Sequence, residues 1–471
     1  MKRKPEITPL EKALYSYPAG RFKIALLFPN SYEAAMGSLG FQTVYRSLNS
    51  IPDFTAQRYY SLSREEKPSP GFPILALSIA YELDLINFIR SLIDWNIEPL
   101  AANRAGPLTI AGGVLTLINP LPLAPFADIV MLGDGELLIP RFAKIYAENY
   151  LGGKAAVLQA ASQQNGFWVP SMCRPPEFKP LLEPRRSPLH SVILSSSAHF
   201  GSMFLIEIGR GCPRRCRFCA SSYIHNYEYH PLGKLMEVVE GNVPPPTTIG
   251  LIGSALSDYP DLIKLLRKLV SKGYKLGISS LRPDVLTQEL AGLLAEGGVR
   301  TLTIAPEAGS LRMRKLIGKG IFDELIYDSI RFAAEAKIPR LKLYFLIGLP
   351  GECEDDIRAI VEMVNKISLI APDVSLELSI NAFIPKFHTP FAEAGMASES
   401  YLKKVRRYLR NELPGMKFSP RSAALETAQA IISQGDENVG LALLDSAQSG
   451  ISLKNALKRR GIDWKTIVSS R

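Results

Sequence analysis

The chain has 471 residues, more than one ordinary core holds, so two or three domains are expected. Hydrophobic residues make up 46%, charged residues 21%, and the net charge is +10, which fits a globular protein with an acidic partner such as nucleic acid, a phosphate-rich ligand or an acidic protein surface. Apolar runs stop well short of the roughly 20 residues of a membrane span, MKRKPEITPLEK lacks the layout of a signal peptide, and five cysteines argue against a disulfide framework, so a cytoplasmic protein with no membrane association is expected.

From Phe22 to about Tyr150 short apolar runs alternate with amphipathic segments. FKIALLFP predicts a strand, NSYEAAMGSLG a loop and GFQTVYRSLN a helix. PILALSIA, PLTIAGG and ADIVMLGDGE predict further strands, with YELDLINFIRSLIDW and ELLIPRFAKIYAEN as helices. Residues 1–150 therefore read as an α/β domain with a doubly wound, Rossmann-like parallel sheet. Its glycines and small polar residues fall where strands end, at the carboxyl edge where open α/β sheets bind ligands. Residues 151–200, which include RPPEFKPLLEPRRSP, read as a linker with little core.

MFLIEIGRG opens a second series over residues 201–393. TTIGLIGSAL, KLGISSLR, TLTIAPEAGS, LKLYFLIGLPGE and LELSINAFIPK follow as strands, with helical stretches between them. Six such strands predict a partial (β/α)6 barrel with functional loops at the strand C-terminal ends. Residues 394–471 read as a helical C-terminal tail. Its YLKKVRRYLR sets Leu402, Val405 and Leu409 on one face and Lys403, Lys404, Arg406, Arg407 and Arg410 elsewhere.

The loop GRGCPRRCRFCA places Cys212, Cys216 and Cys219 at spacing C-x3-C-x2-C, among Arg210, Arg214, Arg215 and Arg217. Three soft thiolates with no histidine among them favour an iron–sulfur cluster over zinc. A closed zinc site needs a fourth ligand, and Cys173 and Cys353 are remote in sequence. Three protein ligands on a four-iron cube leave one iron free for a substrate or cofactor. The arginines would offset the cluster's negative charge or keep the thiols ionised.

This motif, with Phe218 just before the last cysteine and on a loop after the first strand of a β/α series, resembles the radical S-adenosylmethionine (SAM) superfamily. The resemblance implies a [4Fe-4S] cluster on Cys212, Cys216 and Cys219, which are then both metal-binding and catalytic. It implies SAM on the fourth iron, cleaved to a 5′-deoxyadenosyl radical by an electron from an external reductant of flavodoxin or ferredoxin type. It places the Phe218 backbone near the adenine, and Gly253 and Ser254 where the family's glycine-rich strand end meets the SAM amino group. This chain's Gly-Ser-Ala departs there from the usual Gly-Gly-Glu. Ser279, Ser280 and Arg282 fall near the ribose or carboxylate, and Glu307 near the ribose.

A doubly wound domain ahead of such a barrel is similar to the cobalamin-dependent branch of that superfamily. The matching residues are Asn30, Ser31, Tyr32, Met36, Gly37 and Gly40 of LFPNSYEAAMGSLGFQTVYR; Ser78; the pair Gly112 and Gly113; Gly133, Gly135 and Glu136 of GDGE; and SINAFIPKFHTPF. Small residues at these turns would let backbone approach the corrin. Many cobalamin domains offer a histidine after the first strand as lower cobalt ligand, whereas the first 189 residues here contain none. The resemblance then implies cobalt with no imidazole beneath it, and Tyr32, Met36, water or nothing on that side. That arrangement suits transfer of a methyl group. The implied reaction is methylation of an unactivated carbon, with a protein side chain as the preferred target, in the manner of glutamine C-methylation of methyl-coenzyme M reductase. Tyr223, Tyr227 and Tyr344 are candidate substrate-proximal residues.

Rival readings are tRNA methylthiolation, which IAPEAGS and LIGLPGE also suggest, and a non-methylating cobalamin radical SAM enzyme. Methylthiolation needs a second cluster on three further cysteines, and no cysteine precedes Cys173. A non-enzymatic iron–sulfur protein that binds nucleic acid through its positive charge is the remaining class.

Overall fold

A computed structural model describes residues 11–62, 67–68, 71–175, 179–185, 187–419 and 422–469. The chain forms two compact units, one of residues 1–205 and 435–462, the other of residues 206–434 and 463–471.

The first unit is built on a six-stranded sheet. Its strands are β1 (Phe22–Phe28), β2 (Phe54–Tyr60), β3 (Ile74–Ser78), β4 (Leu108–Gly112), β5 (Ile129–Met131) and β6 (Phe167–Trp168), in the order β2-β1-β3-β4-β5-β6. All neighbours are parallel except β6, which runs antiparallel to β5. In β1 every residue but Lys23 is buried, as expected of a central parallel strand covered on both faces. Edge strand β2 went unrecognised in the sequence because half-exposed and polar residues break its apolar run.

The stretch read as a linker with little core is corrected. Helix Gly153–Ser162 and strand β6 lie within it, and Val157, Ala161, Val169, Val192 and Ile193 join the core cluster of the sheet. Trp168 is fully buried. Proline-rich composition described only the short stretch around residue 180 and hid the apolar residues that flank it.

Two predicted ligand-facing glycines have structural duties. Gly113 has φ +124°, and a Cβ there would lie 2.2 Å from the Ile79 carbonyl oxygen. A Cβ on Gly133 would lie 2.3 Å from the Leu181 carbonyl oxygen, with which Gly133 forms a bridge. Both glycines are required by the chain's own packing. Helix Glu437–Ser449 returns to this unit, where Gly440 packs against Pro122 and the Asn119 side-chain amide donates to the Gly435 carbonyl (2.8 Å). The C-terminal helices are thus shared between the two units.

The second unit carries the barrel series. Its strands are β7 (Phe204–Glu207, where the chain leaves the first unit), β8 (Thr248–Ile252), β9 (Lys275–Ile278), β10 (Thr301–Glu307), β11 (Arg340–Ile347), β12 (Ser375–Ala382) and β13 (Lys417–Phe418). They order as β9-β8-β7 and β10-β11-β12-β13, and a single parallel bridge, Leu281 to Ile304, links the two arcs. The six predicted strands are present and form an open α/β barrel, extended by the short β13. Among the described residues no helix is long and apolar enough to cross a membrane.

Candidate active site

The cysteine loop leaves the end of β7. A short antiparallel pair, Gly209–Arg210 with Glu228–Tyr229, fixes its entry. Gly211 has φ +69° and sits so close to Asn226 that a Cβ would lie 2.3 Å from that carbonyl oxygen, so only glycine starts the loop here. Further along, the Arg217 amide donates to the Ile317 carbonyl (2.9 Å), and Cys216 Sγ lies 3.9 Å from the Gly318 carbonyl oxygen. The loop is therefore seated on the turn after helix Leu311–Leu316.

Cys216 is buried, and Cys212 and Cys219 are half-buried free thiols. Burial pushes the Cys216 thiol above its ordinary pKa, and so do its neighbours Cys219 and Cys212, while Lys319 and Arg282 act in the opposite sense. Burial likewise raises the Cys219 thiol, with Cys212 and Glu307 adding to the rise and hydrogen bonds from Ser221 opposing it. The three cysteines, Arg282, Glu307 and Lys319 thus form one electrostatic neighbourhood. Among the described residues no three His, Cys, Asp or Glu side chains are grouped around a single ion position. A donor set of three neighbouring thiols, one per iron, fits a multi-iron cluster.

Glu307 is held in an unusual way. It ends β10 after a register shift against β11, and its φ of +70° puts a non-glycine residue in the left-handed region. Strained backbone of this kind costs on the order of 1–3 kcal/mol and gathers at functional sites. Its carboxylate accepts from Lys319 Nζ at 3.0 Å, and the Lys319 side chain is only 8% exposed. Lys319 was missed in the sequence. Its signal is the turn Gly-Lys-Gly, where Gly318 and Gly320 both have positive φ and aim the lysine between them inward.

The four arginines of the motif mostly serve other partners. Arg210 pairs with Glu207 and Arg214 with Asp258; Arg217 lies over the Phe391 ring, and Arg215 over Tyr223. At Cys216 the cations that favour the thiolate are Lys319 and Arg282, and of the motif's arginines Arg214 shares its surroundings with Cys212 as well as Asp258. Phe218 packs beside Met313, Ile317, Leu349 and Phe383. Gly253 follows β8, and a Cβ there would meet the Gly209 oxygen at 3.3 Å. Ser254, Ser279 and Ser280 are exposed at strand ends, and the Arg282 amide donates to Ser257 Oγ (2.9 Å). Tyr223 and Tyr227 donate to the carbonyls of Arg215 and Asp258, and Tyr344 lies in β11 beneath Lys342. Cys173 and Cys353 are exposed, and Cys353 caps helix Glu354–Ile370.

In the first unit Asn30, Ser31, Ser78, Gly112, Gly133, Gly135 and Glu136 all lie at the carboxyl edge, after β1, β3, β4 and β5. The strand order reverses between β1 and β3, the switch point at which open sheets bind ligands. Asn30 and Ser78 flank it. Gly40 lies in the first turn of helix Leu39–Asn49, and Glu136 pairs with Arg185. The Tyr32 hydroxyl donates to Glu11 and accepts from the Ser195 hydroxyl (both 2.8 Å), and Met36 is buried with its sulfur accepting from Arg58 (3.4 Å). A cavity of about 710 Å³ opens at the opposite edge, among Pro73, Trp95, Pro107, Tyr146 and Tyr150, away from every predicted site residue.

The premise that this unit offers no histidine is overturned, because residues 190–205 fold with it. His190 is buried, donating to the Ser191 carbonyl through Nδ1 (3.0 Å) and accepting from Arg46 at Nε2 (2.9 Å). His199 is exposed and crosses the loop after β1. Its amide donates to the Glu33 carbonyl (2.9 Å), and its Cβ would be 3.4 Å from a Cβ on Gly37.

Asp84, whose carboxylate accepts from Asn30 (2.7 Å), is buried, and desolvation together with Glu82 pushes its pKa up to about 6 despite that hydrogen bond. An unfolded aspartate titrates near 3.9, so between about pH 4 and pH 6 the folded chain binds more protons than the unfolded one. Stability should fall by about 2 kcal/mol as pH rises through that window. Asp84→Asn should flatten this limb in urea unfolding of the full chain measured from pH 4 to pH 7. An unchanged limb would assign the effect elsewhere.

Residues 206–364 match the radical SAM superfamily, and residues 61–170 match the N-terminal region of radical SAM proteins. The chain carries a radical SAM domain. It is 29% identical over 93% of its length to an uncharacterized protein of Methanocaldococcus jannaschii, covering 94% of that protein. Its fold is similar to that of the radical SAM methyltransferase TsrM from Kitasatospora setae, solved with cobalamin and a [4Fe-4S] cluster, with a TM-score of 0.54 and 16% identity over 79% of this chain and 77% of TsrM. The cobalamin-dependent SAM radical enzyme OxsB gives a TM-score of 0.54 and 12% identity over 90% of this chain and 66% of OxsB. These likenesses are likenesses of fold: a Rossmann-like sheet, a radical SAM barrel and C-terminal helices in one chain.

Proposed function

We propose that this chain is a cobalamin-dependent radical SAM methyltransferase acting on an unactivated carbon of a protein side chain. The observation that carries the reading is the cysteine loop at the end of the first barrel strand, with its three thiols in one neighbourhood beside Lys319, Arg282 and Glu307. The fold it shares with TsrM and OxsB supports the cobalamin part.

Cys212, Cys216 and Cys219 would hold the cluster, and Gly253, Ser254, Ser279, Ser280, Arg282 and Glu307 line the strand ends where SAM would lie. Asn30, Ser31, Ser78, Gly112, Gly135 and Glu136 at the carboxyl edge of the first sheet would hold the corrin. When bound, these cofactors supply a radical able to take hydrogen from carbon and a methyl group to replace it. The chain's own residues do the positioning. Lys319 and Arg282 stabilise the thiolate form of Cys216 against its burial. The Lys319–Glu307 ion pair fixes a carboxylate beside Cys219. Gly211 and Gly318 fix the backbone of the loop and of its seat.

A flavodoxin- or ferredoxin-type protein is the matching electron donor. A glutamine side chain in a methyl-coenzyme M reductase polypeptide is the specific substrate to try first. Incubating the anaerobically reconstituted chain with cobalamin, SAM, reductant and candidate polypeptides should give 5′-deoxyadenosine and a mass gain of one methyl group on a polypeptide. Methylation of a small molecule with no polypeptide modified would overturn the substrate class. Methylthiolation is disfavoured because no cysteine precedes Cys173.

A further inference from the structure

Away from the cysteine loop, helices Glu399–Glu412 and Ala423–Gln434 of the second unit enclose a groove of about 470 Å³. The basic face expected on the first of these helices opens onto that groove. Leu402, Val405 and Leu409 are buried, whereas Lys403, Arg407 and Arg410 are exposed and line the groove. These three stand at i, i+4 and i+7, one row about 10 Å long on the helix. Across from them lie Ser422, Ala423 and Ala424, the start of a 12-residue helix whose first N–H groups have no partner within the helix.

The fourth basic residue of the groove, Arg406, has a different task. Its Nη2 donates to both Glu426 oxygens (2.7 Å each), and Glu426 also accepts from the Ala382 amide (3.0 Å). This buried pair ties the two helices to β12 and holds the groove open. Arg406 Nε is buried without a hydrogen-bond partner among the described residues. Lys403, Arg407 and Arg410 have no carboxylate partner among the described residues; Arg410 lies 6.0 Å from the centre of the Phe418 ring, while the neighbouring Lys404 pairs with Glu354. The row of cations is therefore not neutralised by the described residues.

We infer that this groove binds the phosphate backbone of a single-stranded nucleic acid. The lining decides between polyanions. Among the described residues it offers cations, the Asn411 amide, small residues and helix-end N–H groups but no aromatic or large apolar pocket. An acidic peptide draws its affinity from buried aromatic or aliphatic anchors, which have no place here. Backbone phosphates need only cations and N–H donors, and planar arginine forks match them. The chain's net charge of +10 attracts such a partner from a distance. None of these groove residues belongs to the proposed cofactor sites.

The test uses the full chain and a fluorescein-labelled 12-mer of oligouridylate, titrated over a range of salt concentrations. Binding should tighten as salt falls. Lys403→Gln/Arg407→Gln/Arg410→Gln should weaken it roughly tenfold or more at low salt and lower the slope of log K against log salt by about 2, roughly 0.7 for each phosphate left without its cation. The variant's unfolding midpoint should stay unchanged, because all three side chains are exposed. A control, Lys144→Gln/Lys264→Gln/Lys272→Gln, removes three exposed charges elsewhere and should keep both affinity and slope. Equal losses in the two variants would reduce the effect to net charge and overturn the inference. So would a groove variant that binds as the wild type does, or a polyglutamate peptide that competes as well as unlabelled RNA.

Discussion

Cys216→Ala should abolish the iron–sulfur chromophore of the reconstituted chain and lower 5′-deoxyadenosine formation at least about 1,000-fold, equivalent to about 4 kcal/mol. The expected loss is large because Cys216 is the buried member of the trio, packed against the Gly318 turn and within the field of Lys319 and Arg282. Alanine leaves that packing nearly intact, so the far-ultraviolet circular dichroism should not change. Cys353→Ala is the matching control. Its thiol is engaged by Asp356 and Arg312 at a helix N-terminus, and both cluster and activity should survive its removal. A Cys216→Ala chain that still assembles a cluster and cleaves SAM would remove the cysteine loop from the chemistry.

Arg314→Ala should destabilise the barrel unit by about 3–5 kcal/mol, read as a fall in its urea midpoint. Arg314 is completely buried. Its guanidinium donates to the carbonyls of Ile321 (2.7 Å), Ala308 (3.1 Å) and Gly309 (2.5 Å) and pairs with Asp323. One side chain thereby closes the loop that follows Glu307 onto helix Leu311–Leu316 and the turn carrying Lys319. Its removal leaves several buried acceptors unmatched. Arg314→Lys should recover only part of the loss, since an ammonium cannot reproduce the planar fork. A loss below about 1 kcal/mol would mean that solvent replaces the arginine freely.

The physics that made some elements legible in the sequence explains why others were not. Central strands of a parallel sheet are apolar on both faces, so FKIALLFP and PILALSIA announced themselves. β2 sits at an edge with Gln57 exposed and Arg58 half-exposed, and its pattern dissolved. The cysteine loop was legible because its spacing is chemical. The charges around it were not, because local partners claim local arginines. Arg214 is drawn to Asp258 and Arg210 to Glu207, while Lys319 reaches Glu307 from a turn 100 residues past Cys219. The glycines at the ends of β4 and β5 stood out in the sequence as ligand-facing, but Gly113 and Gly133 are explained by the Ile79 and Leu181 carbonyls they pack against. The absence of histidine before residue 190 was a fact of sequence that the fold undid, since the unit draws His190 and His199 from beyond the predicted boundary.

Electron paramagnetic resonance of the anaerobically reconstituted, reduced full chain, before and after SAM is added, puts both cofactor sites to the test when cobalamin uptake is quantified on the same sample. A cobalamin-dependent radical SAM enzyme should show one [4Fe-4S] signal per chain that shifts when SAM binds, together with one cobalamin retained per chain. A zinc-filled site, a cluster indifferent to SAM, or a first unit that retains no cobalamin would contradict it.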